Sequence, residues 1–237
     1  MRQRWFRLAG ALAIAASPAL ALALDGITDR PDDFLSSFAG SSSSTDLDVL
    51  AATVLYDPGA DLFQLSSTLA GAVGTTDSAL YVWGVNRGAG TAAFAADGID
   101  GVRFDRVVLL RADGSGSVGG VGDLAAGSVT VSGNTITALV PGSMLVSTGF
   151  DKRDYTWNLW PRDTSFAGFA AISDFAPDNA NFTTTIGVVP EPGTVAMMLA
   201  GLLLLGGQAR RSASRGPKAP RHEYRHTNAP VRVRWLR

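Results

Sequence analysis

The sequence predicts an all-β protein, a β-sandwich or jelly roll, flanked by an N-terminal signal helix and a C-terminal transmembrane helix. Between residues 24 and 190, short runs rich in Val, Thr and aromatic residues alternate with Gly, Pro and Asp turn residues, a pattern typical of strands. Helical periodicity over a dozen residues is absent from this stretch. A chain of 237 residues without cysteine has room for one ordinary domain and excludes a disulfide-stapled miniprotein or a thiolate metal site.

Seven strands are predicted, and turn residues separate them. Asp57, Pro58 and Gly59 follow the first strand, and the last strand is expected to end at Pro161, because proline lacks an amide donor. The glycine-rich stretch 114–122 is expected to be a flexible loop. Seven strands in about 165 residues are typical of a sandwich. The predicted strands cover residues 47–56, 62–69, 79–86, 102–111, 128–131, 135–140 and 155–160.

The N-terminus has the three parts of a secretory signal peptide. Three arginines lie within the first seven residues, an apolar run covers residues 8–16, and Ala21 and Ala23 form an Ala-x-Ala cleavage pattern. Pro18 favours the extended chain that a signal peptidase needs. We therefore predict a signal peptide at residues 1–23 and an exported domain at residues 24–187.

The C-terminal region also has three parts in a fixed order. Pro190, Glu191 and Pro192 form a hinge that excludes helix, an apolar run covers residues 195–207, and Arg210 and Arg211 follow. The arginines indicate a cytoplasmic end and a single pass through the inner membrane. The apolar run of 13 residues spans about 20 Å as a helix, against about 30 Å for the hydrocarbon core. Such a helix is short for a permanent anchor.

This order of hinge, apolar helix and arginine pair resembles the PEP-CTERM sorting signal over residues 188–211. The resemblance implies export through the inner membrane and recognition by an exosortase. It also implies removal of the tail and release to the envelope, the surface or the exopolysaccharide matrix. Residues 212–237 continue beyond the signal as a basic tail, which we expect to be disordered.

The body of the chain resembles a β-sandwich subfamily of exported PEP-CTERM proteins. The resemblance is carried by four segments, at residues 80–88, 104–108, 155–162 and 172–179. Residues 136–141 are more distantly similar to the sandwich domains of the DOMON and family-9 carbohydrate-binding type. These resemblances imply a fold and a destination, and they imply no activity.

Charge and composition restrict the function of the body. Residues 24–190 contain 19 aspartates and 8 Lys or Arg, a net charge of −11, and no His, Cys or Glu. Such an acidic domain is repelled by phosphate, so we predict no nucleic-acid partner. Without imidazole or thiol, Ser-His-Asp and Cys-His catalysis cannot occur there. We predict a non-catalytic protein, and the alternative is an exported glycan- or peptide-acting enzyme. A glycosidase could use two aspartates as acid and base.

One pattern in the tail resembles a zinc site. Residues 222–226 read H-E-x-x-H, in which zinc proteases use both histidines of one helix as ligands. Pro217, Pro220 and Pro230 surround the pattern, and no domain encloses it. We therefore predict a coincidence and no zinc.

Closely spaced aspartates form a second candidate for metal binding. Oxygen-rich loops can hold Ca²⁺, and residues 96–101 and 174–181 are the best of them. Aspartate is also an ordinary turn residue, so we predict no resident metal or cofactor and keep Ca²⁺ as the alternative. The close pairs are Asp46/Asp48, Asp97/Asp100, Asp151/Asp154 and Asp174/Asp178.

The aromatic pattern of residues 155–160 suggests a site for a sugar. Side chains alternate between the faces of a strand, so Tyr155 and Trp157 share one face and Trp160 lies on the other. We hypothesise a saccharide groove lined by Asn158, Trp160, Arg162 and Asp163, with exopolysaccharide as the partner. The alternative is a core strand whose last tryptophan packs under a loop. Tyr81 and Trp83 share one face of their strand and are predicted to be core residues.

Overall fold

The computed structural model describes residues 26–189, which form two sheets of six strands each. No α-helix occurs in residues 26–189, which confirms the all-β prediction for this part of the chain. The strands are β1 (Ile27–Thr28), β2 (Val49–Asp57), β3 (Leu62–Leu69), β4 (Ala79–Asn86), β5 (Arg106–Leu110), β6 (Gly116–Val118), β7 (Gly122–Asp123), β8 (Val129–Ser132), β9 (Thr135–Pro141), β10 (Thr156–Asp163), β11 (Phe182–Thr183) and β12 (Thr185–Ile186). Short 3-10 helices cover Thr45–Leu47, Ala95–Asp97, Gly142–Met144, Lys152–Asp154 and Gly168–Ala171.

The two sheets have separate strand orders. The first is β1-β2-β3-β9-β8, with β12 parallel to β2, and the second is β11-β10-β4-β5-β6-β7. All other neighbouring strands are antiparallel. The turn after β2 forms as predicted, because Asp57 Oδ1 accepts the N–H groups of Gly59 and Ala60 at 2.8 and 3.1 Å. The architecture is β-sandwich-like.

Large side chains from both sheets fill the space between them. Phe63 of β3 lies with its ring centroid 5.7 Å from that of Tyr155 and 5.5 Å from that of Trp157 on β10. Tyr81 and Trp83 of β4 are fully buried in the same core, as predicted. Each buried aromatic removes about 150–250 Å² from water. Aromatic packing is therefore a main contact between the two sheets.

A second hydrophobic cluster covers the opposite face of the second sheet, and we call it the outer cluster. Trp160 lies at its centre, with ring centroids 5.3 Å from Phe94 and 4.8 Å from Phe104. Gly84 leaves room for the indole ring, because a Cβ atom there would collide with it. The outer cluster contains the buried residues Val82, Val102, Trp160, Ile172 and Phe175, and half-buried neighbours that include Phe94, Phe104 and Phe169.

Strand β10 is longer than the sequence predicted, since it passes through Pro161 and ends at Asp163. Pro161 pairs with Tyr81 of β4, and its carbonyl accepts the Ser173 N–H at 3.1 Å on the other side. The N and C=O of one residue point to the same side of a strand. The ring nitrogen of Pro161, which carries no hydrogen, therefore faces the irregular segment 172–176. That segment forms no regular ladder of hydrogen bonds with β10, so the missing donor is tolerated.

The glycine-rich stretch 114–122 is also more ordered than predicted. It contributes β6 and the start of β7, which form the edge of the second sheet. Val118 pairs with Val108 of β5 and is buried. Two very short strands with little alternation leave no periodic signal in the sequence.

The membrane and targeting predictions fall on other parts of the chain. Within residues 26–189, no helix is long and apolar enough to cross a membrane. The predicted signal peptide at residues 1–23, the helix at residues 195–207 and the tail at residues 212–237 lie outside the described residues.

A buried ion pair joins the end of β4 to the start of β5. Arg87 is 4% exposed, and its Nε donates to Asp105 Oδ1 at 2.9 Å while Nη1 donates to the Val146 carbonyl at 2.8 Å. Burial alone would raise the pKa of Asp105, but hydrogen bonds from the Thr148 hydroxyl and from Arg87 lower it below its usual value. The carboxylate therefore stabilises the fold in its charged form.

We predict that Asp105→Asn lowers the free energy of unfolding by about 3 kcal/mol at pH 7, because it leaves the buried Arg87 charge without a counterion. The pKa of Asp105 is lower in the folded state than in the unfolded state. Its stabilising effect is therefore complete above pH about 4 and is lost as the pH falls through the folded pKa. Urea unfolding from pH 7 to pH 2.5 should show the two proteins converging in acid. Asp123→Asn, at an exposed position, is the matched control, and a constant gap between Asp105→Asn and wild type would contradict the assignment.

Candidate metal centre

Five aspartates gather at one place on the sandwich, and we call them the acidic cluster. They form two overlapping groups, Asp29/Asp33/Asp178 and Asp33/Asp48/Asp174, which share Asp33. Within each group, one carboxylate oxygen per residue lies within 4.8 Å of the others. Carboxylate oxygens are the ligands that Ca²⁺ and Mg²⁺ prefer.

Three segments that are distant in sequence bring these carboxylates together. The segment after β1 is held to β2 by the Asp29 N–H, which donates to the Leu50 carbonyl at 2.9 Å. The Leu35 N–H donates to the Ser173 carbonyl at 2.8 Å, and the Ser173 hydroxyl donates to the Leu47 carbonyl at 2.7 Å. Segment 172–178 is thus bonded both to the N-terminal segment and to the chain just before β2.

The two innermost carboxylates are nearly inaccessible to water. Asp48 is 1% exposed and Asp174 is 2% exposed. One oxygen of each accepts a backbone hydrogen bond: Asp48 Oδ2 from the Asp32 N–H at 2.8 Å, and Asp174 Oδ2 from the Val49 N–H at 3.0 Å. These bonds fix the two side chains in place.

Other oxygens of the cluster are buried without any donor. Oδ1 of Asp48, Oδ1 of Asp33 and Oδ2 of Asp29 have no hydrogen-bond partner. A buried polar group without a partner costs about 1–3 kcal/mol, and a charged one costs more. Native domains contain few buried polar atoms without a hydrogen-bond partner, so three in one cluster are unusual.

No basic side chain of the described residues forms an ion pair with the cluster, although the charge of Arg30 lowers the pKa of Asp33 in part. The ion pairs of the described residues, Arg87–Asp105 and Lys152–Asp61, lie elsewhere, and the nearby Arg30 is exposed. Burial, together with the negative charge of neighbouring aspartates, raises the pKa of Asp174 to about 8 and that of Asp29 to about 6. Burial likewise raises the pKa of Asp33 and Asp48. Burial and mutual proximity therefore both disfavour the charged forms of these carboxyl groups.

The sequence identified part of this cluster. Asp48, Asp174 and Asp178 belong to pairs singled out by their spacing, but Asp29 and Asp33 were missed. Three aspartates within five residues after a predicted signal peptide, Asp29, Asp32 and Asp33, are the signal that was available. The other favoured loop, residues 96–101, is not part of the cluster: Asp97 is exposed, and Asp100 accepts the Asn179 amide N–H at 3.1 Å.

The residues of the hypothesised saccharide groove have other partners in the structure. Trp160 is 2% exposed, so no face of its ring is open to a sugar, and the alternative of a tryptophan packed under a loop describes its position. The buried Asn158 donates through Nδ2 to the carbonyls of Pro177 and Ala180 at 2.7 and 2.8 Å. Asp163 accepts the Ser78 hydroxyl at 2.6 Å, and Arg162 donates to the Gly168 carbonyl at 3.1 Å. These side chains hold loops together.

A cleft of about 660 Å³ lies at another edge of the second sheet. Its lining includes Leu109, Arg111, Asp113, Asp123 and Leu124. None of the acidic cluster contributes to it, so the cleft and the cluster are separate features.

The predicted sorting residues lie outside the described residues, as does the pattern at residues 222–226. The sorting residues are Pro190, Glu191, Pro192, Arg210 and Arg211. Comparison with known families tests them at the level of sequence. Residues 188–212 match the model of the PEP-CTERM protein-sorting motif, which confirms the predicted C-terminal signal. No curated protein matches the chain.

We predict that Trp160→Ala lowers the free energy of unfolding by about 3–5 kcal/mol, because it removes the centre of the outer cluster. Val146→Ala, at a side chain that is 64% exposed, should change it by less than about 0.5 kcal/mol. Guanidinium unfolding followed by circular dichroism measures both. A Trp160→Ala protein of wild-type stability that binds exopolysaccharide more weakly would restore the saccharide hypothesis.

Proposed function

We propose that this chain is an exported, non-catalytic protein of the cell envelope or exopolysaccharide matrix, which an exosortase sorts and processes. The observation that carries the proposal is the PEP-CTERM protein-sorting motif at residues 188–212. That motif marks the chain for export and exosortase recognition. We further propose that the chain makes a single pass through the inner membrane, that the tail is then removed and that the domain is released.

The end of the sandwich supports processing at this position. Strand β12 pairs with β2, the Gly187 N–H donates to the Tyr56 carbonyl at 3.0 Å, and the Val189 N–H donates to Asp57 Oδ2 at 3.1 Å. The chain is therefore bonded to the first sheet up to the residue before Pro190. A cut in the hinge beyond it leaves all twelve strands in the released domain.

The composition of the tail supports a temporary membrane segment. Its apolar run covers residues 195–207 and is followed by Arg210 and Arg211. A helix of this length spans about two thirds of the hydrocarbon core, and the arginines prevent it from being pulled through. Such a segment holds the chain long enough for an integral membrane protease to act.

The composition of the body supports a non-catalytic role. Residues 24–190 have no His, Cys or Glu, and their 19 aspartates give a strongly acidic domain. This composition favours a soluble matrix component over a hydrolase that needs an imidazole or thiolate group. We propose that such a domain interleaves with exopolysaccharide through its surface, and the proposal assigns no sugar contact to the buried Trp160.

The hinge prolines provide the test. In a host that has an exosortase, Pro190→Ala together with Pro192→Ala should leave unprocessed protein in the inner membrane, because the segment can then join the helix. Pro217→Ala together with Pro220→Ala, in the tail beyond the motif, is the matched control and should be processed normally. Deletion of residues 212–237 should also leave processing intact.

Mass spectrometry of the released protein distinguishes the outcomes. The released form should lack every peptide from residues 195–211. Released protein that contains those peptides, or equal processing of the two double variants, would contradict the proposal.

A further inference from the structure

We propose that the acidic cluster binds one Ca²⁺ ion, which fastens the first residues of the domain to the sandwich. The ligands are carboxylates of the buried group Asp33, Asp48 and Asp174, and Asp29 and Asp178 lie beside it in the second group that shares Asp33. This inference is independent of the sorting signal, because it uses only residues of the sandwich.

Besides the clustering of acidic residues, a second observation indicates a ligand: several of their oxygens are buried without a hydrogen-bond partner. Asp48 is 1% exposed, and its Oδ1 is buried without a hydrogen-bond partner, while its Oδ2 is occupied by the Asp32 N–H. Asp33 Oδ1 and Asp29 Oδ2 are also without partners. A cation bound by the Asp33/Asp48/Asp174 group gives the oxygens of Asp48 and Asp33 a partner.

The spacing of the oxygens agrees with coordination of one ion. Ligands at about 2.4 Å on opposite sides of a Ca²⁺ ion lie about 4.8 Å apart, and the oxygens of each group lie within 4.8 Å of one another. The three carboxylates of the Asp33/Asp48/Asp174 group supply three of the six to eight oxygens that Ca²⁺ takes, and water completes the set.

The donor set selects the type of cation. All five side chains are carboxylates, which suit hard ions, and residues 24–190 contain no His or Cys for zinc or copper. The ligands come from three irregular segments of the chain, which follow β1, precede β2 and follow β10. Ca²⁺ accepts such irregular geometry, whereas Mg²⁺ demands a near-ideal octahedron and keeps its own waters.

The ion would join three parts of the chain that are distant in sequence. Strand β1 has two residues, paired with Ala51 and Ala52 of β2. The segment that follows it carries Asp29 and Asp33, whereas Asp48 precedes β2 and Asp174 lies beyond β10. One ion bound by Asp33, Asp48 and Asp174 crosslinks the N-terminal segment to both sheets.

Thermal unfolding of the full chain in detergent tests the site, with CaCl₂ alone as the probe. The melting temperature in CaCl₂ should exceed that in EDTA by about 5–10 °C when Ca²⁺ is about a hundredfold above its Kd. MgCl₂ at equal ionic strength should give a smaller rise, and equilibrium dialysis with elemental analysis should find one Ca²⁺ per chain.

Two matched variants make the test specific. Asp33→Asn removes the carboxylate shared by both groups at a half-buried position that should tolerate the change, and it should weaken Ca²⁺ binding at least tenfold. Asp97→Asn makes the same charge change at an exposed position outside the cluster and should keep the wild-type response. Equal melting temperatures in CaCl₂ and EDTA, or equal responses of the two variants, would overturn the proposal.

Discussion

The two-sided burial of strand β10 is the constraint on which the rest of the structure depends. Trp157 faces the core between the sheets, whereas Trp160 faces the outer cluster. A shift of one residue would exchange these faces, so burial on both sides fixes the register of the strand. Segment 172–176 lies along β10 through the reciprocal backbone bonds between Leu159 and Ala176. The packing of two tryptophans therefore fixes the strand along which the segment that carries Asp174 lies.

The acidic cluster lies where this packing brings the N-terminal segment, the start of β2 and segment 172–178 together. Its electrostatics contrast with those of the pair Arg87–Asp105, in which a guanidinium group supplies both charge and donors to a buried carboxylate. The cluster has no such group, and several of its oxygens are buried without donors. A bound cation would stabilise this arrangement in the way that Arg87 stabilises Asp105, and it would also crosslink three segments.

Much of the fold could be predicted from the sequence, because the longer strands carry local signals. Strands β3 and β4 have the predicted bounds, since alternation and turn residues mark both ends. The prediction ended β10 too early, at Pro161, because the effect of a proline depends on which side of the strand is paired. The cluster could be predicted only in part: Asp48, Asp174 and Asp178 have close acidic neighbours, but their convergence with Asp29 depends on the topology of both sheets. The burial of Trp160 could not be predicted either, because the loop residues that cover it, such as Phe94, show no periodic pattern in the sequence.

Crystallographic anomalous scattering from the chain crystallised with CaCl₂ would show directly whether a cation occupies the acidic cluster. We expect one Ca²⁺ peak about 2.3–2.6 Å from carboxylate oxygens of Asp33, Asp48 and Asp174. Crystals grown at millimolar Ca²⁺ with no anomalous peak among these carboxylates would contradict it.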